Sequence, residues 1–178
     1  MVIAQSLDEG LQILMSTFLH RMPMIKPGIF GIGLGYQDGY LVLDLSGANS
    51  FEPDATFGLW PKDGAKDIPL RYQVERPNPL KGVDMSSMGY PISLDLYDLQ
   101  SIDLTKVKVE LFEGKPSRNI SVQGRLICSS DINQQACLPS REFAFFPENF
   151  LKPNKKYTVV ISGVESNPIE STFTTSSK

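Results

Sequence analysis

The sequence predicts a mainly β protein: a short α/β segment over residues 1–46, made of one helix and one hairpin, then an antiparallel β-sandwich over 57–178. Three observations carry this. Helical spacing of apolar residues is confined to Leu11, Leu14, Met15 and Phe18. After residue 57, short stretches of alternating apolar residues recur, separated by Pro, Gly, Asn and Asp. Between the two textures, residues 47–56 (GANSFEPDAT) are small and polar, the composition of a linker.

Each element has its own signal. Ser6 followed three residues later by Glu9 is a capping-box pattern, and the apolar spacing after it predicts a helix over 7–20. Pro23 disfavours helical geometry at Met22, and Pro27-Gly28 marks a turn. Ile32 and Leu34 then alternate, Gln37-Asp38-Gly39 reads as a hairpin turn, and Leu41, Leu43 and Leu45 share one face of the returning strand. One helix and two strands are too little to stand alone in water, so 1–46 is expected to fold only against the sandwich or a second copy. Residues 57–178 are expected to fold alone.

In that second part, strands are expected at 70–74, 90–97, 107–112, 120–127, 142–146, 157–162 and 169–175. Seven short strands with turns between them predict an antiparallel sandwich of immunoglobulin-like type. Ile92, Leu94 and Leu96 alternate with Ser93, Asp95 and Tyr97, and Val107, Val109 and Leu111 with Lys106, Lys108 and Glu110. The pattern reads as one face inward and the other in water.

With 178 residues, 41% of them hydrophobic, the chain is long enough for one ample core or a full domain with a smaller piece attached. Seventeen Lys and Arg against twenty Asp and Glu give a net charge of -3, with no basic cluster, which argues against a nucleic-acid partner. No apolar run approaches the ~20 residues of a transmembrane helix. The opening MVIAQSLDEG has neither the basic nor the long apolar part of a secretory signal.

Few residues carry chemistry. His20, the sole histidine, fits a general base, a metal ligand or a helix-end cation. One histidine cannot by itself build a His-rich zinc site. Ser16 lies four residues earlier on the same helical face. Glu9, eleven residues from His20, is roughly 16 Å away along the axis and cannot complete a triad. No catalytic residue, metal or cofactor is therefore assigned. Gly31, Gly33 and Gly35 lie in a strand leading to a hairpin rather than before a helix, so they are not a phosphate loop; small residues on a strand face admit a close-packed helix instead. Cys128 and Cys137 frame the polar SSDINQQA and fit a reduced pair or one disulfide, whose closure contributes about 2–3 kcal/mol. Asn119-Ile120-Ser121 matches a glycosylation acceptor. Trp60, Tyr97 and Phe112 are candidates for an exposed binding surface of the sandwich.

The stretch from Asp8 to Leu45 resembles the second half of the CAP superfamily, the cysteine-rich secretory protein, antigen 5 and pathogenesis-related 1 group. Bacterial members read as a helix ending in W-M-x-S-P-x-H-R, an apolar pair with N-P, and I-G-x-G before a tyrosine-containing strand. Here Leu14-Met15-Ser16-Thr17-Phe18-Leu19-His20-Arg21, then Met24-Ile25-Lys26-Pro27, then Ile32-Gly33-Leu34-Gly35-Tyr36 follow that order, with Leu14 in place of the tryptophan and Thr17-Phe18-Leu19 in place of S-P-G. The resemblance implies that His20 lines a cleft with a second histidine and two acidic residues, a cluster that holds a divalent metal in some members. The other histidine and one of the acids come from the half of the domain before the stretch matched here.

Trp60 to Pro69 (WPKDGAKDIP), Gly89-Tyr90-Pro91-Ile92, and Leu151 to Val159 (LKPNKKYTV) ending in Thr172-Phe173-Thr174-Thr175 resemble the bacterial immunoglobulin-like domain attached to exported CAP proteins. The two resemblances imply the C-terminal part of an exported CAP-like protein. Its expected function is extracytoplasmic, non-catalytic binding or adhesion, with a protein, glycan or lipid ligand, no nucleic acid, and self-association through 1–46. The alternatives are a metal-assisted hydrolase using the cleft around His20 and a carrier of apolar ligands. Export makes a Cys128–Cys137 disulfide the expectation.

Overall fold

The computed structural model describes residues 2–29, 31–45, 57–76, 78–80, 82–96, 102–118, 120–128 and 142–178. The expected linker at 47–56, Tyr97, Asn119 and Cys137 lie outside the described residues.

The chain begins with a two-residue strand, β1 (Val2–Ile3), and a helix, α1 (Leu7–Ser16). The Ser6 side chain accepts the Glu9 N–H, as the capping pattern predicts, and the Glu9 carboxylate reaches back to the Gln5 N–H. The single helix expected over 7–20 is two. At Thr17 the backbone is extended (φ -95°, ψ 141°), and a second helix, α2 (Phe18–Ile25), starts afresh. The Thr17 hydroxyl donates to Leu14 O at 3.0 Å, the local side-chain competition that takes a residue out of a helix. Pro23 does not stop α2, which runs two residues past it. Packing of Phe18 and Met22 holds this short helix, and propensity decides little at such a length.

The hairpin follows as β2 (Gly33–Gln37) and β3 (Tyr40–Asp44), joined by Asp38-Gly39 with φ of 50° and 81°, the positive pair that a two-residue type I′ turn requires. β1 pairs with the far edge of β3, so the sheet has three strands in the order β1-β3-β2. Leu41 is fully buried beneath α1. A Cβ at Gly10 would lie 2.7 Å from its side chain, so the helix can approach this closely only because residue 10 is glycine.

The rest is a β-sandwich. Strands β4 (Gly58–Trp60), β6 (Ile92–Asp95), β9 (Glu142–Pro147) and β8 (Gly124–Cys128) form one antiparallel sheet in that order. The other runs β5 (Ala65–Ile68), β11 (Ile169–Thr175), β10 (Lys156–Ser162) and β7 (Lys108–Glu113), antiparallel except for the β5–β11 pair. Ile92, Leu94, Phe143 and Phe145 of the first sheet share one core with Val109, Leu111, Tyr157, Val159, Ile161 and Phe173 of the second. In β7 the expected alternation holds, with Lys108 and Glu110 exposed.

In β6 it fails: Ser93 and Asp95, read as water-facing, are buried. The first sheet is covered on both sides. Its outer face carries Ala144, Phe146 and Ile127 into a second core with Phe18 and Met22 of α2 and with Tyr72, Leu80, Met85 and Met88 from the β5–β6 connection. The Phe146 ring meets Phe18 and Tyr72 edge-on, centroids 5.5 and 5.4 Å apart. A Cβ at Gly58 would lie 1.9 Å from Ile25 O, so the end of α2 rests directly on β4. That connection also displaces the strand expected at 70–74. Only Arg71 bridges, to Gly89, and the segment serves as cover. The sandwich instead starts earlier, with β4 and β5 on either side of a Pro61-to-Gly64 crossing between the sheets.

Candidate functional site

His20 and the helix break meet at Glu75, a residue that no motif or spacing singles out. Glu75 is 6% exposed and accepts the Leu19 N–H with both oxygens, at 2.9 and 3.0 Å, so it supplies the N-terminal acceptor that Thr17 does not give α2. It also accepts the Tyr72 hydroxyl at 2.9 Å and lies 2.9 Å from His20 Nδ1. Burial, reinforced by the Glu75 carboxylate, pushes the Tyr72 phenol well above its ordinary range. A carboxylate acceptor at Nδ1 places the ring proton there and leaves Nε2 as the open nitrogen of a side chain that is 42% exposed.

Glu9 is out of reach along the helix, and the residue that orients His20 arrives from 55 positions away. The hydroxyl beside His20 is Thr17, 3.2 Å from Nδ1, rather than Ser16. Thr17 is buried and donates its hydrogen to Leu14 O, on the Nδ1 side of the ring, so it is a poor nucleophile for Nε2 to activate. Among the described residues, no three His, Cys, Asp or Glu side chains converge as a metal site.

Next to this cluster, Arg21 is fully buried. Its guanidinium donates to Met15 O (3.0 Å), Pro91 O (2.9 Å) and Ser93 Oγ (2.8 Å), lies 4.7 Å from the Tyr90 ring centroid, and leaves Nε without a partner. Burial lowers its pKa. Tyr90 donates to the same Met15 carbonyl at 2.7 Å and accepts the Trp60 indole N–H at 2.9 Å. These bonds use the free carbonyls at the end of α1 to tie the helix break to β4 and β6.

Two adjoining clefts flank the break. One of about 470 Å³ is lined by Ser16, Tyr72, Gln73, Val74 and Ser86; the other, about 410 Å³, by Gln12, Met15, Trp60, Lys66 and Tyr90; Ser16 and Pro69 border both. Trp60 and Phe112 are half-buried rather than displayed. The exposed apolar surface lies elsewhere. Of the nine exposed large hydrophobic residues among those described, six (Ile3, Ile32, Leu34, Tyr36, Tyr40 and Val42) belong to the three-stranded sheet or its approach. Pairing puts Leu34 and Tyr36 on the face that α1 covers only at Leu41, and Ile3, Tyr40 and Val42 on the other. The glycines do not admit a helix: Gly31 and Gly35 look onto open space.

At the far end of the helix-bearing sheet, Asp95 and Glu142 are directly opposite on β6 and β9. Burial, and then the facing Asp95, push Glu142 up to about 7; burial also raises Asp95, and Lys26 partly offsets both. Cys128 ends β8 half-buried. No helix among the described residues is long and apolar enough to cross a membrane.

No protein-family model matches the chain, and no curated protein matches it. Among solved structures it is similar to PcoC, a copper resistance protein from Escherichia coli, at 18% identity over 64% of this chain and 90% of that one, with a TM-score of 0.35. A likeness of that degree carries no inference about this chain's ligand or activity.

Proposed function

We propose that the chain is an exported, non-catalytic binding or adhesion module of CAP-like type, with an immunoglobulin-like sandwich as its rigid body and the sheet β1-β3-β2 as its contact surface for a protein, glycan or lipid. The observation that carries this is the contrast between a sandwich sealed by two cores and a small sheet that leaves Ile3, Tyr40 and Val42 in water on one face and Leu34 and Tyr36 on the other. Exposed apolar groupings of this kind mark interaction sites on folded chains. An open three-stranded sheet also favours surface contact over a carrier role, which needs an enclosed apolar cavity. The immunoglobulin-like assignment is supported by a first strand divided between sheets in the order β4-β6-β9-β8 and β5-β11-β10-β7, and by Tyr157 at the start of β10, whose hydroxyl accepts the Lys152 N–H at 2.9 Å as a tyrosine corner does. A Cys128–Cys137 disulfide accompanies the exported reading.

The hydrolase alternative has one observation in its favour, the orientation of His20 by Glu75. The test is binding of the full chain to immobilised glycans, lipid vesicles and envelope proteins, with Val42→Lys and His20→Ala alongside. Saturable binding should disappear in Val42→Lys at unchanged melting temperature and persist in His20→Ala. Binding indifferent to Val42→Lys, or a hydrolytic activity abolished by His20→Ala, would overturn it.

A further inference from the structure

The outer edge of β2 is unpaired backbone at the end of its sheet. A two-residue hairpin loop makes Gln37–Tyr40 a hydrogen-bonded pair, so Gly35–Val42 and Gly33–Asp44 are hydrogen-bonded too, while the N–H and C=O groups of Leu34 and Tyr36 point away from β3. β2 ends its sheet, and none of these outward groups has a partner among the described residues. Folded chains blunt such edges with lysine, proline or a bulge. Here the stretch PGIFGIGLGYQ, residues 27–37, has no charge, its single proline comes before the strand, and the register of β2 on β3 is regular.

We infer that a second copy of this chain docks on this edge, antiparallel β2 against β2 about Gly35, joining two three-stranded sheets into one of six. The inference rests on the binding reading above and names one partner for the same sheet. In this register Leu34 of each copy stands opposite Tyr36 of the other, an aliphatic–aromatic pair that stabilises cross-strand contact. Gly35 faces Gly35, with open space where a side chain would stand.

Charge permits the self-pairing. Each copy carries a net -3, but the charge nearest the edge, Asp38, falls opposite Ile32 of the other copy. The two Asp38 residues are then six positions apart along the strand, roughly 20 Å, beyond the screening length of physiological salt. The area sets the strength. An apolar patch of about 300–600 Å² with one short strand pairing is below the ~800 Å² per partner of a stable interface, so the dimer is weak and concentration-dependent.

Sedimentation velocity of the full chain from about 1 to about 300 µM, the range in which so small an interface is populated, should show a reversible shift from one-chain to two-chain mass. Leu34→Pro removes an N–H that bonds to nothing among the described residues, so it should abolish the shift and keep the hairpin. Gly35→Cys should form an interchain disulfide between the two positions 35 without added cross-linker, identified by peptide mass spectrometry, because a non-hydrogen-bonded antiparallel pair brings its Cα atoms to about 4.5 Å. A single-chain mass at every concentration, a dimer indifferent to Leu34→Pro, or Gly35→Cys linkages that avoid position 35 would overturn the inference. A monomer whose ligand binding still disappears in Val42→Lys refutes the second copy alone; loss of the Val42 effect refutes the binding reading.

Discussion

Replacing Glu142 by Gln tests whether α2 and the loops truly bury the outer face of the first sheet. In the folded chain the Glu142 carboxyl is held at about 7 instead of 4.5, by burial first and by Asp95 across the strand pair second. At about 1.4 kcal/mol for each tenfold change, that gap corresponds to about 3 kcal/mol, which solvent screening of a half-buried carboxyl reduces to on the order of 1–2 kcal/mol. Because the folded state binds this proton more tightly than the unfolded chain does, the stabilising contribution is complete below about pH 4.5 and is lost as pH rises through about 7. Above that, Glu142 is an ionised carboxylate facing Asp95, with only the field of Lys26 in compensation. Gln has the same shape and never ionises. The variant should therefore match the wild type near pH 4.5 and exceed it by on the order of 1–2 kcal/mol at pH 8. Urea titrations at pH 4.5, 6, 7 and 8, followed by far-UV circular dichroism, measure the difference. Comparing the two proteins at each pH cancels Asp63, Asp84 and Asp103, whose pKa values are lowered by local hydrogen bonds and which are common to both. Parallel pH profiles would show that Glu142 is solvated and that the sheet is not covered there.

Glu75→Ala strips acceptors from the Leu19 N–H, the Tyr72 hydroxyl and His20 Nδ1 together, and should lower stability in thermal or urea melts by about 2–4 kcal/mol, with Glu75→Gln costing less because it still accepts. A fragment of residues 57–178, which the strand pattern alone expects to be self-sufficient, should melt well below the full chain or aggregate. It loses the cover of Phe18 and Met22, at about 2 kcal/mol each, and the Arg21 bonds to Pro91 O and Ser93 Oγ. Equal melting temperatures for fragment and full chain would dismiss the second core.

The pattern of the sandwich interior was legible because one rule governs it: β7, β9, β10 and β11 fall where alternation put them, and Val109 and Leu111 face inward as read, into one core with Tyr157, Val159 and Phe173. The Asp38-Gly39 turn and the Ser6–Glu9 cap were legible for the same reason, since each is a local device whose residues are contiguous. The helix break was not. Thr17 lacks the Gly or Pro that announces a break, and what makes the break affordable is a carboxylate 56 positions away from Leu19. Glu75 and Arg21 escaped because a lone charged residue in sequence reads as surface, and both earn their place only through partners that folding delivers.

Ser93 and Asp95 carry the same lesson into function. Alternation with small polar residues means a wet face only if nothing else lies on that face, and here α2 does. A helix reading alone would have left that question open, because the apolar stripe of 7–25 had two surfaces to choose from, the hairpin and the sandwich. The structure divides them: α1 takes Leu41, and α2, turned by the break at Thr17, takes Phe146. With the helical segment split between two sheets, neither helix extends over Leu34 or Tyr36, which share the face of Leu41. The break that brings His20 to Glu75 is thus also the reason this face of the small sheet stays exposed, so a substitution that straightened the helix, such as Thr17→Ala combined with Glu75→Ala, should change that face of the hairpin and the sandwich cover together.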